Sequence, residues 1–277
     1  MVFLFRLLSR LPMPILHNLG ALAGWLIWLA SPTYRRHFRE NIALAGLEQA
    51  GSAAIAEAGK GVFELPRLWL RPQTEVVGRV ARVTGWDLVE QAWAAGRGIL
   101  FLTPHLGCFE ITAQYYASFR PITVLYRKPK QAWLAPLVET GRGANMTLAS
   151  ADLSGVRKLL KALKHGEAAG LLPDQVPGKG EGLWLPFFGR RAYTMTLAAR
   201  LAETGATVLL AYAERLHYGA GYHMRLLPLS APLEGSLEAR AAQINRELER
   251  LIRLCPEQYL WGYNRYKQPS GAPAPES

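Results

Sequence analysis

The sequence predicts an α/β fold with a mixed central sheet flanked by helices, carried behind an apolar helical segment at the N-terminus. Three observations lead there. Short apolar runs with β-propensity alternate with amphipathic helical stretches from residue 98 onward. A late pair of such runs turns about Tyr218-Gly-Ala-Gly221, which puts an antiparallel hairpin into the sheet. No Asp, Glu, Lys or Arg occurs between Leu11 and Tyr34. A chain of 277 residues, 50% apolar and 19% charged, can bury a substantial core.

The elements follow in order. A short apolar helix is expected over 2–10, a break at Pro12 and Pro14, and a second helix over 15–30. Residues 31–72 read as helical, with a break around Gly51-Ser52 and a stop near Pro72. A buried strand is expected over 98–103, a helix over 106–118, a strand over 122–126 and a short helix over 133–142. Residues 153–165 make an amphipathic helix closed by Gly166, and 168–172 a strand that enters Pro173-Asp174-Gln175. Helix is expected over 193–204, the hairpin over 206–216 and 222–229, and a long helix over 237–255 backed by Pro256. The domain division is therefore 1–34 for the N-terminal helices, 35–267 for the main domain, and 268–277 for a disordered, proline-containing tail.

Charge and cysteine use narrow the classes. Lys and Arg number 32 against 21 Asp and Glu, a net charge of +11, which favours anionic partners. No zinc spacing and no aromatic-basic stretch of a nucleic-acid module is present, so nucleic acid is not the expected partner. Two cysteines, Cys108 and Cys255, do not make a disulfide framework. The charge-free N-terminal stretch is flanked by Arg6 and Arg10 on one side and Arg35, Arg36 and Arg39 on the other. Membrane attachment is the favoured reading, and both a spanning and an interfacial helix stand open.

The informative stretch is Thr103-Pro-His-Leu-Gly-Cys-Phe-Glu110, directly after a buried strand. Ligands of open α/β sheets bind beyond the carboxyl ends of strands. Residues five apart on a regular helix point about 140° apart, so His105 and Glu110 meet only if His105 lies in the turn and Glu110 in the first helical turn. Such a pair suits acyl transfer to an alcohol: imidazole takes the hydroxyl proton while the carboxylate orients the ring. On the residues alone, a purely structural hydrogen bond stands beside this reading. Cys108, three residues from His105, raises a Cys–His nucleophile as a competitor. No Gly-x-Ser-x-Gly elbow occurs, which argues against an ordinary serine hydrolase.

His-x4-Glu in this setting resembles the lipid A biosynthesis acyltransferases (the lauroyl/myristoyl, late-acyltransferase family), relatives of the His-x4-Asp glycerolipid acyltransferases. The ordered blocks that carry the resemblance are Arg39-Glu-Asn-Ile42, Gly98 to Glu110, Tyr126-Arg127, Gly141-Arg142-Gly143, Leu172-Pro-Asp-Gln175, Leu185-Pro-Phe-Phe-Gly189, Ala202-Glu-Thr-Gly-Ala206 and Pro256-Glu-Gln-Tyr-Leu-Trp261. They run across residues 35–265. The resemblance implies a glycerolipid-acyltransferase-like fold, with His105 as base and Glu110 as its partner. It implies that Arg142 holds a phosphate or the carbonyl oxygen, with Arg127 as the competing candidate, and that Asp174 and Gln175 lie at the substrate. The implied reaction moves an acyl chain from an acyl carrier protein thioester to a hydroxyl of a phosphorylated lipid A precursor. It would take place at the cytoplasmic face of the inner membrane, with no metal or organic cofactor. Where the family carries Asn-Trp before the Glu, this chain has Cys108-Phe109; where paired arginines follow the Trp, it has Gly262-Tyr-Asn-Arg-Tyr-Lys267. These departures leave open acylation of a phosphoglycerolipid, aminolipid or glycolipid, and a catalytically silent lipid-binding relative. Arg157, Lys158, Lys161 and Lys164 form a basic helix face suited to an acidic carrier protein or anionic lipid, or simply to solvent.

Overall fold

The computed structural model describes residues 2–129, 131–143, 146–272 and 274. Five helices come first: α1 (Val2–Leu8), α2 (Met13–Ala30), α3 (Pro32–Leu44), α4 (Gly51–Leu70) and α5 (Gln73–Val77). Strand and helix then alternate through β1 (Val80–Thr84), α6 (Trp86–Ala94), β2 (Ile99–Leu102), α7 (Phe109–Ala117), β3 (Ile122–Tyr126), α8 (Ala135–Gly143), β4 (Thr147–Ser150), α9 (Leu153–Lys164) and β5 (Ala168–Leu171). The chain continues through β6 (Gly182–Phe187), β7 (Arg190–Met195), α10 (Leu197–Ala202), β8 (Thr207–Arg215), β9 (Tyr222–Pro228) and α11 (Leu237–Leu254).

Seven strands form the central sheet in the order β1-β9-β8-β2-β5-β3-β4. Only β8 and β9 pair antiparallel within it, as the turn at Tyr218-Gly-Ala-Gly221 leads one to expect; the other neighbours are parallel. All four residues of β2 are buried, because apolar layers cover both sheet faces. Leu100 and Leu102 face the layer built from α9, α10 and α11, whereas Ile99 and Phe101 face α6 and α7. The α/β class and the mixed sheet are therefore as expected.

Five local features depart from expectation. The two outer strands β1 and β4 carry no strong sequence signal, being short and half-exposed rather than continuous apolar runs. Residues 193–204 divide: Tyr193 belongs to β7, and helix begins only at Leu197. The β6–β7 hairpin turns at Phe188 and Gly189, both with positive φ (46° and 77°), so the Pro-Phe-Phe-Gly block supplies a hairpin turn. Helix α7 begins at Phe109, because Leu106 and Gly107 are held in bridges to Tyr259 and Ala213. The tail expected without structure opens with a turn: Gln268 donates to the Ala272 carbonyl at 2.8 Å, and Ala272 is buried against Val176 and Tyr193. Residues 273 and 275–277 of that tail lie outside the described residues.

Helix α2 has 18 residues and is apolar enough to cross a membrane by length and composition. One side is committed to the protein: Met13, Leu16, His17, Gly20 and Gly24 are buried, and the glycines let α2 lie directly on α4. A Cβ on Gly59 of α4 would stand 1.9 Å from the Gly20 carbonyl oxygen, closer than any atom pair allows. The other side, with Leu19, Leu22, Leu26 and Leu29, is exposed, as are Phe3, Leu4 and Leu7 of α1. Such a contiguous apolar surface marks an interaction face.

Candidate active site

His105 sits in the turn that leaves β2 at the carboxyl edge of the sheet. That turn is braced from two sides. Gly107 donates its amide to the Gln258 carbonyl at 3.0 Å, and Cys108 donates to Ala213 at 2.7 Å. The Leu260 amide donates to the carbonyl of His105 itself at 3.1 Å. Gly107 has φ of 60°, and a Cβ there would lie 2.1 Å from the Ala213 carbonyl oxygen, so only glycine fits.

The imidazole is held by Asp174, in the loop after β5. Asp174 Oδ1 stands 2.7 Å from His105 Nδ1, and Oδ2 accepts the His105 backbone N–H at 2.9 Å. One carboxylate therefore fixes both ring and main chain. Asp174 is 2% exposed. Burial would raise its carboxyl, but the charge and hydrogen bonds of His105 outweigh this and hold it below the ordinary range. An ionised Asp174 selects the Nδ1–H tautomer and leaves the Nε2 lone pair to accept a proton. The Gln175 side-chain amide lies 3.1 Å from that Nε2, and the Phe109 ring centroid 4.8 Å from the imidazole.

The expected contact between His105 and Glu110 is replaced by two separate pairs. Glu110 does lie in the first turn of α7, and it is buried. Its carboxylate is gripped by the Arg142 guanidinium in a two-pronged ion pair, with Nε to Oε1 at 2.5 Å and Nη2 on Oε2. Among the described residues no hydrogen bond joins His105 to Glu110; the Nδ1 side of the ring is already filled by Asp174. Arg142 is itself half-buried. It belongs to the last turn of α8 and lies over the Trp69 ring at 5.9 Å. The neighbouring glycine serves packing: a Cβ on Gly141 would meet the Trp69 carbonyl oxygen at 2.4 Å. Burial would lower the Arg142 pKa, but Glu110 prevails and raises it above the ordinary value. Arg127 is exposed in the loop after β3.

Several supporting residues escaped the sequence reading. Asn41 Nδ2 donates to the carbonyls of Trp261 and Tyr263, both at 2.7 Å, which pins the C-terminal segment that braces His105. Arg265, 3% exposed, donates to the Tyr193 carbonyl at 2.8 Å and to Thr194 Oγ1 at 2.9 Å. Below the turn lies a buried ionic cluster. Arg215 donates to Glu64 at 2.7 and 2.9 Å and to Glu57 at 2.6 Å, Tyr222 donates to Glu64 at 2.9 Å, and His17 of α2 lies 3.4 Å from Glu64. The invariably charged Arg and a distant Glu in sequence gave no local signal of this pairing. Cys108 is 1% exposed, and burial together with Glu64 pushes its thiol well above the ordinary range, which removes it as a nucleophile.

Comparison with known proteins decides the class. The family model described as bacterial lipid A biosynthesis acyltransferase matches residues 1–268. This chain belongs to that family. The chain is 27% identical to the lipid A biosynthesis lauroyltransferase of Escherichia coli K12, over 97% of this chain and 90% of that protein. It is 28% identical to the palmitoleoyltransferase of the same organism (93% and 87% covered) and 24% identical to its myristoyltransferase (90% and 78% covered). As a family member it is an acyltransferase, and its lipid A assignment rests on the whole chain rather than on the His-x4-Glu spacing alone.

Glu64 supplies a pH test of the framework. Burial would raise its carboxyl, but Arg215 and His17 prevail and lower it to about 2. A carboxyl depressed in the folded state stabilises the fold above its unfolded pKa, and that contribution is lost as pH falls toward the folded value. Glu64→Gln is expected to cost about 3 kcal/mol near neutrality, as for a broken buried ion pair. Thermal unfolding from pH 7 down to pH 3 should then show the gap between wild type and variant closing; a gap that stays constant with pH would refute the assignment.

Proposed function

We propose that the protein transfers a fatty acyl group from an acyl carrier protein thioester to a hydroxyl of a lipid A precursor, with His105 as general base. The observation that carries this reading is the Nδ1-anchored imidazole at the carboxyl edge of the sheet, whose Nε2 has the Gln175 side-chain amide beside it. In the transfer, the acceptor hydroxyl displaces Gln175 from Nε2 and gives its proton to the ring as its oxygen attacks the thioester carbonyl. The tetrahedral intermediate collapses with breakage of the C–S bond, and the imidazolium proton goes to the departing thiolate. Asp174 stabilises the imidazolium throughout. Glu110 keeps Arg142 charged and aimed, and Arg142 stabilises the oxyanion or a phosphate of the acceptor. Arg127, exposed at the same edge, is the second candidate for phosphate. The kinship with glycerolipid acyltransferases is supported by the spacing of His105 and Glu110.

The donor and the membrane engage different surfaces. Arg157, Lys158, Lys161 and Lys164 are all exposed on α9, whose opposite side buries Leu159 and Leu163, and this basic face fits an acidic carrier protein. The exposed apolar residues of α1 and α2, flanked by Arg6, Arg10, Arg35, Arg36 and Arg39, fit an anionic bilayer surface on the cytoplasmic side of the inner membrane. An interfacial seat is favoured over a span, because α2 is fixed by its glycines to α4, which carries the charged Glu57, Lys60 and Glu64.

Three measurements test this reading. With labelled acyl carrier protein thioester and a phosphorylated lipid A precursor, His105→Ala should lose transfer by at least about 10²-fold. Asp174→Asn should lower kcat by a similar factor with KM little changed; full activity in either variant would sink the mechanism. Charge reversal at Lys158 and Lys161 should raise KM for the carrier thioester, most at low salt, and an unchanged KM would remove α9 as the docking face. Leu22→Asp with Leu26→Asp should abolish flotation with anionic phospholipid vesicles while leaving the fold intact; undiminished flotation would disprove the interfacial seat.

A further inference from the structure

An apolar cleft runs from the catalytic turn down one face of the sheet beneath α7. Thr103 and Phe109, on either side of His105 in the chain, line it together with the wall formed by Phe101, Val124 and Ile122. Its hydroxyl-bearing Thr112 is already satisfied, donating to the Phe109 carbonyl at 2.7 Å. In the middle of that wall is Gly170, on β5, between Phe101 of β2 and Val124 of β3 in the same row of the sheet. Glycine weakens a strand interior and there often marks close approach of a ligand. Nothing in the backbone requires it here: φ is not positive, and a Cβ would meet Val124 Cγ1 at 3.4 Å and Ile122 Cδ1 at 3.6 Å, ordinary contact distances. A methyl group at 170 would therefore be tolerated by the fold and would project into the cleft.

We propose that this cleft holds the donor's acyl chain and that the missing side chain at Gly170 sets how long a chain it accepts. The inference rests on the acyl-transfer reading above. A donor chain ends in the reacting carbonyl, so it enters methyl end first and stops with that carbonyl at the His105 edge. Gly170 acts on specificity, and the catalytic step belongs to His105.

The test uses the full-length protein and a graded series of saturated acyl carrier protein thioesters differing by single ethylene units, with a fixed acceptor. Gly170→Val should shift the kcat/KM ratio toward the shorter donors by about 10-fold or more, the discrimination that a methylene or so in an apolar pocket supplies. Ile122→Ala, which deepens the cleft, should shift it the opposite way. Gly170→Ala should leave Tm unchanged or raise it, which separates the effect from misfolding. Calorimetric binding of the same thioesters without acceptor should show the same reordering, so the inference is read even if the wild type transfers nothing to the precursor, a result that would instead refute the functional reading. Unmoved donor ratios overturn the inference, and so does a shift confined to acceptors of different chain length.

Discussion

The architecture depends on one buried ion pair. Arg215, at the end of β8, is enclosed with Glu64 of α4, each with a side-chain exposure of 2%. Two unpaired charges at that depth would be prohibitive, so the pair forms only if α4, β8 and the N-terminal helices arrive together. His17 and Tyr222 complete the hydrogen bonding of Glu64, while Glu57 and Lys60 extend the cluster toward the surface. The main chain of Arg215 is itself clamped by the Gln258 side chain, through Oε1 at 2.7 Å and Nε2 at 2.9 Å. Since the Gln258 carbonyl receives the Gly107 amide, the cluster and the His105 turn share one rigid support.

That support explains why distant parts of the chain converge on one histidine. The C-terminal segment contributes Gln258 and the Leu260 amide, α3 contributes Asn41 to hold that segment, and the loop after β5 contributes Asp174. Each of these contacts removes a rotation or translation of the turn, which holds the imidazole in one orientation. Tyr259 is also drawn into this arrangement: burial raises its hydroxyl well above the ordinary range, and the neighbouring Asp174 charge adds to the effect.

The two carboxylates near the site have divided roles in the fold. Asp174 faces the imidazole and stays ionised because His105 stabilises it. Glu110 faces Arg142 and thereby ties α7 to α8. The apolar cleft lies between the first of these helices and the sheet, while the exposed apolar residues lie on α1 and α2 beyond α4. The paired histidine, the apolar cleft and the apolar outer surface thus lie on separate elements around one frame.

The sequence by itself determined the class of fold, the buried strand before His105, the late hairpin and the N-terminal helices, because hydrophobic period, glycine and proline placement are local properties. It also brought His105, Glu110, Asp174 and Arg142 into view as residues of one family pattern. Tertiary structure alone decided who touches whom. His105 takes Asp174, 69 positions away, and Glu110 takes Arg142, 32 positions away, because partner choice depends on how β5 and α8 pack, which no local spacing encodes. The edge strands β1 and β4 were unreadable for a related reason: half-exposed and short, they become strands only when β9 and β3 offer them a hydrogen-bonding partner. Gly170 belongs to the same class, since a glycine in a strand is silent until the neighbouring strands reveal the space that it leaves.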